Sequence, residues 1–234
     1  MESSDIIYYL MKWFHYVFGI IWIGHLYYFN FTQVPFFGET DAATKSNAIQ
    51  KLVPRALWWF RWGAMFTFIT GVIMLYMWGE KSGHAAFMST SFGLFISVGA
   101  LLGTVMFLNV WLIIWPSQKV VIESTTNVAQ GKAALPEAAA KGAAALLASR
   151  SNTMFSLPML FFMGAASHLP ILQPPADGSP ANYSTAFLAA LVVIILLEAN
   201  AIKGKLGPLA SVKGVIHAGV GLTAVLFGLL YAMA

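Results

Sequence analysis

Six long, nearly uncharged runs dominate this sequence, at about 6–31, 57–79, 91–115, 153–171, 184–202 and 212–233. Each is close to or above the roughly 20 residues that an α-helix needs to cross the hydrocarbon of a bilayer. Lipid offers no hydrogen-bond partners, and a helix satisfies its backbone within one segment, so helices are the form such runs take. The sequence therefore predicts an all-α integral membrane protein, a single six-helix transmembrane domain over 1–234. Composition agrees: only 9% of the residues are charged, against about 25% in soluble domains.

Charge placement predicts the topology. Eleven of the thirteen Lys and Arg residues lie in or beside the first, third and fifth connections, among them Lys45, Arg55, Arg61, Lys132, Arg150 and Lys205, and only Lys12 and Lys81 lie opposite. By the positive-inside rule those connections face the cytoplasm and both termini lie outside. The net charge of +4 thus reports orientation and not a nucleic-acid partner. The N-terminus, MESSDII, has no basic segment and no small-residue cleavage site after it, so the first helix is expected to be retained.

Within this frame, Trp115-Pro116 predicts the end of the third helix, because proline disfavours helical geometry in the residue before it. The connection 117–152 contains LPEAAAKGAAALLASR, which predicts a cytoplasmic helix at about 135–150. The stretch LQPPADGSPANY, 172–183, is a string of turn residues and predicts an irregular outer loop. No internal repeat marks an inverted-repeat transporter.

The five histidines carry the chemistry. His84 falls in an outer loop, where a solvated role is expected. The other four fall inside the apolar runs, where ionisable groups are costly and usually face the bundle interior. His15 and His25 are about 15 Å apart along the first helix at 1.5 Å per residue. With alternating topology the four sort into two levels, His15 with His168 and His25 with His217. That pairing suits axial ligation of one or two b-type haems by neutral imidazoles on facing helices. Gly19, Gly164 and Gly221, each four residues from a histidine, share its helix face and would leave room for a flat macrocycle. His25 has no such neighbour. Small residues at this spacing also serve close helix packing, the better reading of Gly99-x-x-x-Gly103.

A histidine hydrogen-bonded to a neighbouring helix, without metal, is the rival to each assignment. No carboxylate lies at ligand spacing for a zinc or di-metal site. Cysteine is absent, which excludes disulfides, thiolate ligands and a covalently attached c-type haem. Arg55 and Arg61 are candidates to hold an anionic substrate, although arginines at helix ends usually snorkel. Glu198 is expected to pair locally with Lys203 or Arg61, and Asn109 to line a cavity or lie with interface anchors.

The blocks PRALWWFRWGAMFTFITG, NVWLIIWPSQK, ASRSNTMFSLPMLFFMGAASH and LLEANA resemble the membrane domain of the bacterial urate oxidase family, through nearly the whole chain. In that family a haem-associated membrane domain is followed by a c-type cytochrome domain. A fainter likeness, Lys12, His15, Trp22 and Gly24 in K-x-x-H-x6-W-x-G, resembles the first helix of membrane protoporphyrinogen oxidase, in which the histidine is associated with haem. The resemblance implies a membrane oxidoreductase that takes electrons from a small organic reductant such as urate. The chain ends at Ala234 without a cytochrome segment, so the expected acceptor is a separate c-type cytochrome. The alternative expectation is a non-catalytic haem-binding or structural subunit of a larger respiratory or oxygenase complex.

Overall fold

A computed structural model describes residues 3–172 and 181–234, and among these every regular element is helical. Helix α1 (Ser3–Tyr27) passes through a widened π turn, Tyr28–Gln33, into α2 (Val34–Glu39). Helices α3 (Ala42–Lys51) and α4 (Val53–Ser82) follow. Helix α5 (Ser91–Leu108) passes through a second π turn, Asn109–Ile114, into α6 (Trp115–Ala129). The chain continues with α7 (Ala138–His168), α8 (Ser184–Lys203) and α9 (Val212–Met233).

The two π turns explain why the apolar runs extend beyond the predicted boundaries. Pro35 and Pro116 each lie just after one. A proline lacks the N–H for an i→i−4 bond and its ring crowds the carbonyl at i−4; a turn widened to i→i+5 relieves both. The third helix therefore does not end at Trp115 but runs to Ala129, and the first runs on to Glu39. The second run also lengthens, from 57–79 to Val53–Ser82.

A further correction concerns 135–150 and 153–171, which form one helix, α7. Arg150, Ser151 and Asn152, polar enough to suggest a boundary, are all buried. Helix α7 packs against α1, α5, α6, α8 and α9, so most of its surroundings are other helices and it needs little apolar surface of its own. Five helical segments are long and apolar enough to cross a bilayer: 4–39, 53–82, 91–129, 184–203 and 212–233. Helix α7 is not among these five. Of the predicted outer loop, residues 173–180 lie outside the described residues; Tyr183 N–H donates to the Met88 carbonyl at 2.7 Å.

Close approaches fix the packing. Helix α1 lies along α4, where a Cβ on Gly63 would stand 3.0 Å from the Trp22 nitrogen. Helix α5 lies along α7, where a Cβ on Gly99 would stand 2.9 Å from Met163 Cγ. Pro158 leaves the Met154 carbonyl without its helical donor, and that oxygen faces Gly219 of α9, 3.0 Å from where a Cβ would lie. Side-chain bonds give the directions: Tyr27 O–H donates to Ser156 Oγ at 2.9 Å and Asn30 Nδ2 to Ser149 Oγ at 2.8 Å, so α7 runs antiparallel to α1.

Candidate functional site

His15 lies half-buried on α1, facing α4. Its Nδ1–H donates to the Thr67 carbonyl at 2.9 Å, with Thr70 Oγ1 3.2 Å away. A carbonyl only accepts, so Nδ1 carries the proton and the neutral ring keeps its lone pair on Nε2. Gly71 makes the room: a Cβ there would stand 3.1 Å from His15 Cε1. His25 follows the same rule, its Nδ1–H donating to the Ile21 carbonyl at 2.7 Å one turn earlier. Both rings on α1 thus have the form of metal-binding imidazoles, in which the second nitrogen is tied to a backbone oxygen.

His15 lines a cavity of about 190 Å³ with Lys12, Tyr16, Trp78, Met163 and Ser167. His168 follows Ser167 in sequence, but its own side chain is exposed and does not line that cavity. His217 is exposed on α9, which packs on α7 and α8. No hydrogen bond or ring contact among the described residues joins two of the four histidines, and none of them belongs to a cluster of three or more metal-binding side chains. Gly164 and Gly221 have open space where a Cβ would lie, on exposed faces. A Cβ on Gly19 would make an ordinary contact with Thr67 Cγ2 at 3.9 Å. His84 is exposed, 3.3 Å from Glu80.

A second polar centre lies where α5, α7 and α8 meet. Asn109 Nδ2 donates to Asn152 Oδ1 at 2.9 Å and to Glu198 Oε2 at 3.0 Å, while Asn152 Nδ2 donates to the Met106 carbonyl at 2.9 Å. Glu198 therefore pairs with Asn109 across the bundle, and among the described residues it has no ion pair with Lys203 or Arg61. Nearby in sequence, Arg150 is only 3% exposed, and its Nη1 has no hydrogen-bond partner among the described residues. Arg61 stacks its guanidinium on the Trp115 ring at 3.8 Å, while Arg55 is exposed. The polar groups that composition could not single out are Asn30, Gln33 and Ser149, which line a second cavity. Asn30 stands near the end of the apolar run 6–31 and Gln33 just beyond it, where hydropathy alone singles out neither.

An all-helical bundle with five apolar helices of crossing length and polar side chains held between them is compatible with a multi-pass membrane protein. The chain belongs to the urate oxidase N-terminal family, whose model matches residues 82–203. That match covers α5 to α8 and hence the Asn109, Asn152 and Glu198 centre; α1 and His15 lie outside it. No curated protein and no solved structure matches the chain.

Proposed function

We propose that this chain is a six-helix b-type haem protein of the bacterial inner membrane, with α7 as the sixth crossing and both termini periplasmic. It takes electrons from a small organic reductant, urate or a related purine, and passes them to a separate c-type cytochrome. The observation that carries this reading is the state of His15: Nδ1 is tied to the Thr67 carbonyl, which leaves Nε2 to act as a ligand in a ring that borders a cavity. His25 has the same form and is the candidate for a second haem; His168 and His217 would serve as partners on the faces opened by Gly164 and Gly221.

The space beside His15 tests the fit. At about 190 Å³ the cavity is smaller than the roughly 300–1,000 Å³ of enclosed ligand sites, so a macrocycle there would also cover the open side of α1. That side is available, since only 11% of the most apolar window of the first span is buried. When bound, haem would supply one-electron chemistry at a potential set by its ligands and burial. The chain's own residues have simpler tasks. Thr67 and Gly71 orient the His15 ring, Thr70 fixes the turn by donating to the Phe66 carbonyl at 2.7 Å, and Trp22 and Trp78 wall the cavity against water.

Purified protein should show a Soret band and a b-type pyridine haemochrome, and His15→Ala should lower the haem bound per chain. A protein with neither signal overturns the reading. The openness of α1 also favours a second reading, a haem-binding or structural subunit docked in a larger respiratory or oxygenase complex. Native purification separates the two: a stoichiometric complex without purine oxidation by the isolated chain supports the subunit, and urate turnover with added cytochrome c supports the enzyme.

A further inference from the structure

Arg61 lies about two turns into α4, and its guanidinium is stacked on the Trp115 ring of α6, 3.8 Å from the ring centre. An arginine near a helix end usually snorkels, sending its head group into water. Here the head group is turned onto the indole: Nε is buried, and the guanidinium has no hydrogen-bond or ion-pair partner among the described residues. Lys119, one turn after Trp115, brings a second cation over the same ring at 5.6 Å. Each is attracted by the indole face, but the two cations repel each other, and no carboxylate offsets them. Glu123, one turn beyond Lys119, is exposed and makes no ion pair with it. Trp111, edge-on to Trp62 at 5.7 Å, adds a buried Nε1–H that also lacks an acceptor. Buried donors are rarely left unpaired, so the cluster is short of one thing, an anion with several acceptor oxygens. A phosphate has that form, and guanidinium groups match it well.

The surroundings say what carries that phosphate. Helix α4 and the continuous α5–α6 helix lie side by side and antiparallel, as the contacts Arg61–Trp115, Trp62–Trp111 and Phe68–Phe107 show. Away from the cations, this pair carries the exposed side chains Phe66, Leu108 and Leu112. Leu108 lies about 10 Å from Trp115 along the helix at 1.5 Å per residue. Trp58 and Trp59 are exposed beside Arg61, as indoles are at a membrane–water interface. A cationic end joined to an apolar rail fits an amphiphile, whereas a free anion would leave the rail unused. We propose that Arg61, Lys119 and the Trp62, Trp111 and Trp115 cluster bind the phosphate of an anionic phospholipid, whose acyl chains follow Phe66, Leu108 and Leu112. Basic crevices between membrane helices are the usual seats of such head groups. The site shares no residue with the His15 cavity, so it stands or falls independently of haem.

Native mass spectrometry of the full chain in detergent tests the site, with phosphatidylglycerol and phosphatidylcholine of identical acyl chains as probes. Phosphatidylglycerol should bind at least about fivefold more tightly than phosphatidylcholine, and Arg61→Gln and Lys119→Gln should each weaken it about fivefold, the order expected for one interfacial cation. Lys205→Gln, an equal loss of charge in the connection between α8 and α9, should leave it unchanged. Glycerol 1-phosphate, a head-group phosphate without chains, should not displace the lipid. Circular dichroism on each variant confirms that helix content is retained. Equal affinity for the two lipids, or the same affinity in Arg61→Gln as in Lys205→Gln, overturns the site. Displacement by glycerol 1-phosphate at a concentration comparable to the lipid's assigns the cluster to a free anion and overturns the lipid assignment.

Discussion

His15 and Thr67 are joined across the α1–α4 contact: the imidazole Nδ1–H donates to the Thr67 carbonyl at 2.9 Å, and Gly71, one turn further along α4, leaves the space that His15 Cε1 fills. The ring is thus held by backbone and by a missing side chain. Gly71→Ala should push it aside and lower haem affinity about 10- to 100-fold, the usual cost of disturbing an outer partner of a metal ligand. Thr70→Val, which leaves the Thr67 carbonyl in place, should retain haem. The haem-to-protein ratio from pyridine haemochrome spectra checks both.

The Asn109, Asn152 and Glu198 centre should behave as a structural joint. Asn109→Ala would leave the buried Asn152 Oδ1 and the half-buried Glu198 Oε2 without their donor, at about 1–3 kcal/mol, mostly for stranding the buried one. Glu198→Gln, which can still accept from Asn109, should cost less. Thermal unfolding in detergent, followed by loss of monodisperse protein, ranks the two; equal losses would deny Asn109 its bridging role.

Gly99 and Gly103 lie one turn apart on α5, yet substitution should separate them. A Cβ at Gly99 would lie 2.9 Å from Met163 Cγ and 3.2 Å from the Met163 nitrogen, whereas at Gly103 the nearest atoms are 3.6 Å away. Overpacking of a well-filled contact costs about 1–3 kcal/mol, so Gly99→Ala should destabilise the α5–α7 contact by that order. Gly103→Ala should be nearly silent. Their relative melting temperatures test the contrast.

Asp41 caps α3, its carboxylate accepting from the Thr44 hydroxyl at 2.6 Å and from the Ala43 and Thr44 N–H groups at 2.9 Å. The Thr44 hydroxyl first, and the backbone donors after it, hold its pKa below the ordinary carboxylate value. A depressed folded pKa means that the cap's stabilisation is complete above the usual carboxylate range and is lost as pH falls through the lowered value. Protection of the Thr44 and Lys45 amides from hydrogen exchange, corrected for intrinsic rates, should therefore persist at neutral pH and fall in acid. Asp41→Ala should remove that pH dependence.

How far the sequence could be read differs by element. The last two helices were legible almost to the residue, since 184–202 and 212–233 correspond to Ser184–Lys203 and Val212–Met233. Both are apolar on their exposed sides, and Ser211 caps the second by accepting from the Gly214 N–H at 3.0 Å. Helix α7 was misread as two pieces because hydropathy treats Arg150, Ser151 and Asn152 as solvated, while the fold buries them among other helices. The ends of the first and third runs were obscured for a different reason: proline normally stops a helix, and here a π turn carries the chain past it. His15 was legible as a candidate from its depth alone. Asn30 was not, because its partner Ser149 is 119 residues away.

By itself, the sequence determined that the chain is helical and apolar in long segments and that it has no thiolate chemistry. Those are properties of composition and local periodicity, set by what a backbone must satisfy and what a side chain can ligate. The tertiary structure alone decided which imidazole nitrogen is left free, which amides stay unpaired beside a cavity, and that α7 lies among its neighbours at the centre. Hydrogen bonds and close approaches join residues far apart in the chain, so no run of neighbouring residues encodes them.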